Sequence, residues 1–403
     1  MTPRESLASP RLWLAFLTML VVSGIANTFP VFFPALLAEF GGSRAAIAST
    51  LSLVWLVGAA LGPVAGHLVD RSSPRLVVVV GLAVCAAGLA GATLAPSLPL
   101  FVAALGLGAG VGVGLTGIVT QVSVIADEYV RRRGFATGIA LSGSMAGYVL
   151  ATPAQQAIEA FGWRATLGGY LVVVLALVPL VLRVYPVRLD RVAPPPPPAG
   201  PARGVGATVR LFPFWALAFV FVNAPLVGYL VTVQHVLYFD GLGVPAHEAA
   251  TMLAVGGLLS TSGRALAGLL ADRFGAPVVG VVSLTLSLVG TLSLIGLEAW
   301  PSRLLAYAYV AFVFVPLGTR AIIVALLLRR LAPPERFGAV FGWLVLGNSA
   351  GAALGPLLSG ILYDLTGSYL VIYTTAAALV AASLGALLAF LRTTRETPAA
   401  SLR

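Results

Sequence analysis

Apolar runs of about twenty residues recur along the whole chain, separated by short segments that hold nearly all of its charge. They lie near 12–36, 46–69, 75–95, 98–126, 134–158, 164–184, 211–236, 248–270, 276–297, 303–328, 337–362 and 367–391. A bilayer core of roughly 30 Å is crossed by about 20 helical residues. Lipid offers the backbone no partners, so each crossing segment must bond within itself. Twelve runs therefore predict an all-α membrane protein with twelve transmembrane helices. The composition agrees: 59% of residues are hydrophobic, 9% are charged and mean hydropathy is +0.99. A water-soluble fold has no place for that much apolar surface. The first run is too long for a cleavable leader, so it is expected to remain as a helix.

The net charge of +10 raises the question of nucleic acid, and the placement of the basic residues answers it. There is no Lys; every basic residue is Arg. With the N-terminus cytoplasmic, only Arg44, Arg164 and Arg303 fall on the opposite side and only Arg264 and Arg320 fall inside runs. The rest lie in cytoplasmic segments, which is the positive-inside bias with both termini cytoplasmic. Spread over every such loop, the Arg residues form no patch with aromatics, so no nucleic-acid partner is expected. Cys85, the single cysteine, sits inside the third run and reads as a small packing residue. Abundant Ala, Gly, Pro and Arg without Lys points to a GC-rich bacterial genome and hence to the inner membrane.

The chain also repeats itself. Gly66-His-Leu-Val-Asp70-Arg71, followed by Arg75, lies between the second and third runs. Gly268-Leu-Leu-Ala-Asp272-Arg273-Phe-Gly275 lies between the eighth and ninth, half a chain later. Gly138 to Gly147 in the fifth run corresponds in the same way to Gly342 to Gly351 in the eleventh. Two parallel six-helix copies follow, giving two pseudo-symmetric bundles. The expected division is a bundle over 1–184, a linker over 185–210, a bundle over 211–392 and a cytoplasmic tail over 393–403. The linker carries Pro194 to Pro198, whose missing amide hydrogens favour an extended polyproline II conformation.

Gly66, Leu68, Asp70, Arg71 and Arg75 resemble the G-x-L-x-D-R-x-G-x-[RK] loop of the major facilitator superfamily, with Ser73 where a second glycine is usual. The copy at 268–275 matches through Gly275 and then has Ala276 and Pro277 in place of the basic residue. The resemblance implies the major facilitator fold, a monomeric secondary transporter with helices 1, 4, 7 and 10 lining a central path. It also implies a cytoplasmic gate of Asp70, Arg71, Arg75, Asp272 and Arg273. The stretch from Glu128 to Arg164 is similar to the fifth-helix signature of the monocarboxylate transporters and their bacterial oxalate-exchanger-like relatives. Tyr129, Arg132, Arg133, Ala136, Gly138, Ala140, Gly143, Ser144, Pro153, Gln156 and Gly162-Trp163-Arg164 carry that likeness. Two departures stand out. Ala26-Asn27-Thr28-Phe29 replaces the acidic opening motif and Lys of the first helix, and Ser260 stands where an Asp often precedes the eighth-helix Arg, here Arg264.

An ionisable group inside the bilayer costs roughly 2.5–3.5 kcal/mol on insertion scales, so each is a functional candidate. Arg264 shares a helical face with Gly257, Ser260, Thr261 and Gly268, a small and polar stripe suited to a guanidinium that grips a carboxylate by two parallel bonds. Arg320 shares its face with Tyr309, Val313 and Pro316, and the resemblance puts its helix beside the path. Both Arg residues can instead snorkel or tie loops. Asn27, Gln121, Asn223 and Tyr229 are uncharged candidates for the substrate site, with Thr120 beside them, and packing is the competing role of each. His235 is the candidate proton-coupling group. All acidic residues lie at or beyond the ends of the runs, which argues against cationic substrates. Metal-ligand clusters, nucleophile–base pairs and phosphate-cradling loops are not found, so neither an enzyme nor a cofactor is expected. The expected substrate is a small organic anion, a mono- or dicarboxylate, moved with a proton or against an exchanged anion. Efflux of a neutral or amphipathic compound is the alternative within transport. A membrane sensor or scaffold is the alternative outside it.

Overall fold

The computed structural model describes residues 9–129, 133–188, 205–332 and 337–396. These form helices and turns, with no strand among the described residues. The proline run of the linker, Arg132 of the signature and the tail beyond residue 396 lie outside the described residues. Twelve spans cross the described body, numbered α1 to α12 here. The first, α1, is Pro10–Asn27 continued by Phe29–Phe40; α2 is Arg44–Arg71 and α3 is Pro74–Leu94. Next, α4 is Leu98–Thr116 continued by Ile118–Glu128. A single 51-residue apolar stretch, Gly134–Val184, supplies both α5 and α6, because Gly162 at φ +81° turns the chain inside it. Only glycine adopts that backbone cheaply. In the second half α7 is Phe212–Thr232, α8 Ala246–Phe274, α9 Ala276–Ala299, α10 Arg303–Leu328, α11 Phe337–Thr366 and α12 Tyr369–Glu396.

The predicted repeat appears in the packing. In the first half α1 packs on α5, α2 and α3 on α4, and α3 on α6; in the second, α7 packs on α11, α8 and α9 on α10, and α9 on α12. Each contact of one half has its counterpart six helices later, so the bundles are pseudo-symmetric. The glycines of the repeat sit at equivalent joints. A Cβ on Gly147 would meet Leu20 O and the backbone of Gly24, and one on Gly351 would meet Val222 O. In both halves a small residue lets two helices touch through their backbones, as expected where lipid supplies no hydrophobic drive.

The halves meet along α2 against α11 and along α5 against α8. Their cores differ on the two membrane faces. Toward the face where α1 ends and α2 begins, called the far face below, one buried cluster runs unbroken across both halves, from Phe33, Ile47 and Leu51 to Tyr229, Val236 and Tyr309. Toward the face carrying the start of α1 and the end of α12, the terminal face, the cores are separate. Leu12, Ile125 and Tyr129 form one and Ala65, Val69 and Leu115 another, both in the first half. Phe214, Leu217, Leu328 and Phe390 belong to a third, in the second half. The two bundles are thus fused on one side of the membrane and individually packed on the other.

Candidate functional site

The seam between the bundles is organised by α5. Its regular part, Arg133–Ala146, gives way at Gly147–Leu150 to a tighter 3₁₀ turn. A carbonyl oxygen has two lone pairs, so one already bonded in a helix can still accept from a side chain. Two of the sequence candidates use such oxygens. Asn27, the last residue of α1 before its break at Thr28, donates from Nδ2 to Ser144 O at 2.7 Å. Arg264 reaches from α8 in the other half and donates from Nη1 to Leu141 O at 3.1 Å. Residues 141 and 144 are one helical turn apart, so Asn27 and Arg264 converge on adjacent carbonyls of one helix.

Three polar groups at this point lack full satisfaction. Asn27 Oδ1 is buried without a partner, and so is the hydroxyl of Ser260, one turn before Arg264. Arg264 is half-buried, and among the described residues no carboxylate lies within ion-pair distance of it. Its single protein bond leaves most of its five N–H donors for another acceptor. The position of α8 is set by close backbone contact with α10: a Cβ on Gly263 would overlap Val315 O, and one on Gly318 would overlap Ser260 O.

Toward the far face the seam is shut by aromatic pairs that each join one half to the other. Tyr148 of α5 meets Phe314 of α10 edge-on at 5.6 Å. Trp55 of α2 meets Tyr229 of α7 at 5.4 Å, with the Trp55 indole nitrogen buried and unpartnered. Of the sequence candidates, then, Tyr229 lies at the closed end of the seam and Asn27 and Arg264 lie below it. Trp55, Tyr148 and Phe314 escaped the sequence reading. Tyr148 had a signal, since it lies within the fifth-helix signature, whereas Trp55 and Phe314 look like any aromatic in an apolar run.

The remaining candidates are turned into the bundles. Gln121 is fully buried, donating to Thr116 O at 2.8 Å and accepting from the Tyr185 hydroxyl at 2.6 Å. Thr120 bonds Leu115 O. Asn223 donates to Ser383 Oγ at 3.2 Å, between α7 and α12. Arg320 is only 6% exposed and donates to Ser287 Oγ at 2.5 Å, facing α9 rather than the other half, with Nε unpartnered. His235, 1% exposed, spans Ala249 O at 3.0 Å and the Tyr309 hydroxyl at 3.2 Å. A carbonyl can only accept, so Nε2 carries the hydrogen, and a neutral imidazole whose Nδ1 accepts from Tyr309 satisfies both contacts. Gln121, Asn223 and Arg320 thus each bond within their own half. Helix rotation aims all three at their own bundle.

On the terminal face Asp70, Arg71, Asp272 and Arg273 are exposed, and Arg75 donates to Tyr185 O at 2.8 Å within its own half. Of the signature residues, Tyr129 is buried, Gly143 abuts the Phe16 carbonyl, Gly138 faces open space, and Pro153 and Gln156 are exposed; Arg133 opens α5. The Trp163-Arg164 turn is held by Glu39, which accepts from Trp163 Nε1 at 2.5 Å and pairs with Arg164.

The family model described as Major Facilitator Superfamily matches residues 14–328 and 237–403. Monocarboxylate transporter 13 of Bos taurus is 28% identical over 383 residues, covering 93% of this chain and 87% of that protein. Monocarboxylate transporter 11 of Homo sapiens is 30% identical over 359 residues, covering 86% and 75%. Among solved structures, a D-xylose-proton symporter aligns with a TM-score of 0.74 at 15% identity, over 94% of this chain and 96% of that one. A bacterial homologue of the human lysosomal transporter Spinster, in an inward-facing and occupied conformation, aligns with a TM-score of 0.71 at 16% identity, over 96% of each chain. The structural likeness speaks for the fold and the sequence likeness for the lineage. The chain belongs to the Major Facilitator Superfamily, as an integral membrane transporter similar to the monocarboxylate transporters.

Proposed function

We propose that the protein carries a small organic anion, a mono- or dicarboxylate, by alternating access, with Arg264 as the anchor for the carboxylate. One observation carries this reading: a half-buried guanidinium stands at the seam between the bundles, held by a single carbonyl and paired with no carboxylate among the described residues. A bound carboxylate supplies the charge that a carbonyl dipole does not, and does so through two parallel bonds. Asn27 and Ser260, with unsatisfied oxygens close by, are the polar neighbours of the anchor. The relatives named monocarboxylate transporters support the substrate class.

The fused core on the far face and the divided cores on the terminal face fit a conformation open toward the terminal face. The Arg bias makes that face cytoplasmic, so the conformation is inward-open. Asp70, Arg71, Arg75, Asp272 and Arg273, on that face, close it when the bundles rock the other way. The bundles are 1–184 and 211–392, joined by the 185–210 linker in a monomer. His235, satisfied as a neutral imidazole, packs α8 and α10 together, and charge balance is met by a co-transported proton bound elsewhere or by an exchanged anion.

Counterflow into proteoliposomes tests the reading. Vesicles loaded with unlabelled mono- and dicarboxylates, sugars or amines are offered trace labelled compound of the same kind. Accumulation with at least one carboxylate is expected. Accumulation only with sugars or amines overturns the substrate class, and Arg264 is then a strap between α8 and α5.

A further inference from the structure

The three Arg residues that break the positive-inside bias each have partners on the far face. Arg164 pairs with Glu39 and donates to Ala95 O within the first half, and Arg303 pairs with Glu248 at 3.5 Å within the second. Arg44 alone bridges the halves. It is the first residue of α2, and its guanidinium enters a box built by the other half. Nη1 donates to Gln234 Oε1 at 2.8 Å and to the Tyr369 hydroxyl, and the group lies 3.4 Å above the Tyr363 ring. Gln234 is held in turn by Ser359, through its O at 3.1 Å and its Oγ at 3.0 Å.

The backbone at the same point is shared as well. A helix begins with N–H groups that have no partner in their own helix. In α2 the Ser43 hydroxyl caps the Ala46 N–H at 3.0 Å, as an N-cap should. The N–H groups of Arg44 and Ala45 donate instead to the two carboxylate oxygens of Asp364, at the end of α11, each at 2.9 Å. The positive end of the α2 dipole is thus capped by an anion from the opposite bundle. Gly360 permits the approach, since a Cβ there would overlap the backbone of Ala45.

We infer that Arg44 and Asp364 form a latch that holds the far face shut. Separating the bundles there strips two N–H groups of their acceptor, takes the anion from the start of the α2 dipole while the Ser43 cap stays, and withdraws the guanidinium from its aromatic and amide box. The latch lies on the face opposite the Asp-Arg loops, so the two devices hold opposite faces. It rests on the alternating-access reading but not on the identity of the substrate.

The test uses the full-length protein in sealed vesicles of both orientations, with the buried Cys85 replaced as Cys85→Ala. One reporter is Ser52→Cys, on the α2–α11 seam where Ser52 Oγ accepts from the Leu357 N–H. The other is Gly138→Cys, which faces open space on the terminal side. A membrane-impermeant maleimide reads the labelling rate at each. Losing charge-assisted bonds of this kind shifts a two-state equilibrium by roughly tenfold or more, so Asp364→Ala and Arg44→Gln should each raise far-face labelling of Ser52→Cys about tenfold. Labelling of Gly138→Cys should fall in the same proteins. If Asp364→Ala does not fold, Asp364→Asn removes the charge and gives a smaller effect of the same sign. Unchanged labelling at Ser52→Cys in all folded variants overturns the latch. Raised far-face labelling with undiminished labelling at Gly138→Cys upholds the latch and overturns alternating access.

Discussion

Replacing Arg264 separates the anchor from the strap. The Arg264 guanidinium spends one bond on Leu141 O and belongs to no ion pair among the described residues. A carboxylate gripped by two parallel bonds gains charge-assisted hydrogen bonds of about 1.5–3 kcal/mol each, less the displaced carbonyl contact. A net loss of about 3 kcal/mol on Arg264→Ala corresponds to a rise of roughly a hundredfold in the substrate concentration that half-saturates uptake. Arg264→Lys keeps the charge but loses the planar fork, and a rise of about tenfold is expected. Neither change should unfold the protein. An intramembrane charge costs roughly 2.5–3.5 kcal/mol on insertion scales, which offsets the lost carbonyl bond when the group is removed. The assay is initial uptake into proteoliposomes over a substrate series, with the melting temperature in detergent measured beside it. Half-saturation within about twofold of wild type for Arg264→Ala, with melting also unchanged, refutes the anchor, because a twofold change is only about 0.4 kcal/mol.

The joint between α8 and α10 makes a second test: Gly318→Ala drives a Cβ into the Ser260 carbonyl and should lower the melting temperature by several degrees. Gly385→Ala, with open space around it, should be neutral or stabilising by up to about 1 kcal/mol on helix propensity. His235→Phe removes both contacts of the imidazole, strips the buried Tyr309 hydroxyl of its His235 partner while Ala249 O keeps its helical bond, and is expected to cost about 1–3 kcal/mol of stability. The pH profile of uptake should keep its shape in that variant, and a flattened profile would return His235 to the proton path. Glu39→Gln loses the pair with Arg164 but keeps an acceptor for the Trp163 indole, so thermal melting should register no more than about 1 kcal/mol. Glu39→Ala, which strands the indole N–H as well, should register more.

Candidate polar residues in the apolar runs looked alike in the sequence and separate cleanly in the structure. Asn27 and Arg264 come together because α5 presents carbonyls one turn apart, Ser144 O and Leu141 O, to both. Gln121 and Asn223 resemble them in residue type and depth, yet each is consumed inside its own bundle by Tyr185 and by Ser383. Arg320 was the closest rival to Arg264 on charge alone. A difference in rotation, which no count of apolar residues resolves, directs it to Ser287. Asn348 likewise serves packing, donating to Phe221 O at 2.8 Å between α11 and α7.

The amino-acid sequence by itself determined the number of spans, the doubling of the bundle and the residues of the repeated joints. Each follows from a rule that lipid imposes segment by segment: apolar length to cross, charge kept to the ends, small residues where helices touch. Even the Gly162 turn, hidden inside an unbroken helical stretch, was legible as the gap between the fifth and sixth runs. Tertiary structure alone decided which side chains share a space. Arg264 reaching Leu141, Trp55 against Tyr229, and Asp364 capping the start of α2 all join residues from opposite halves. Such pairings depend on the rotation of each helix and on how the bundles lean together. Those are properties of the packed whole, and no single apolar segment encodes them.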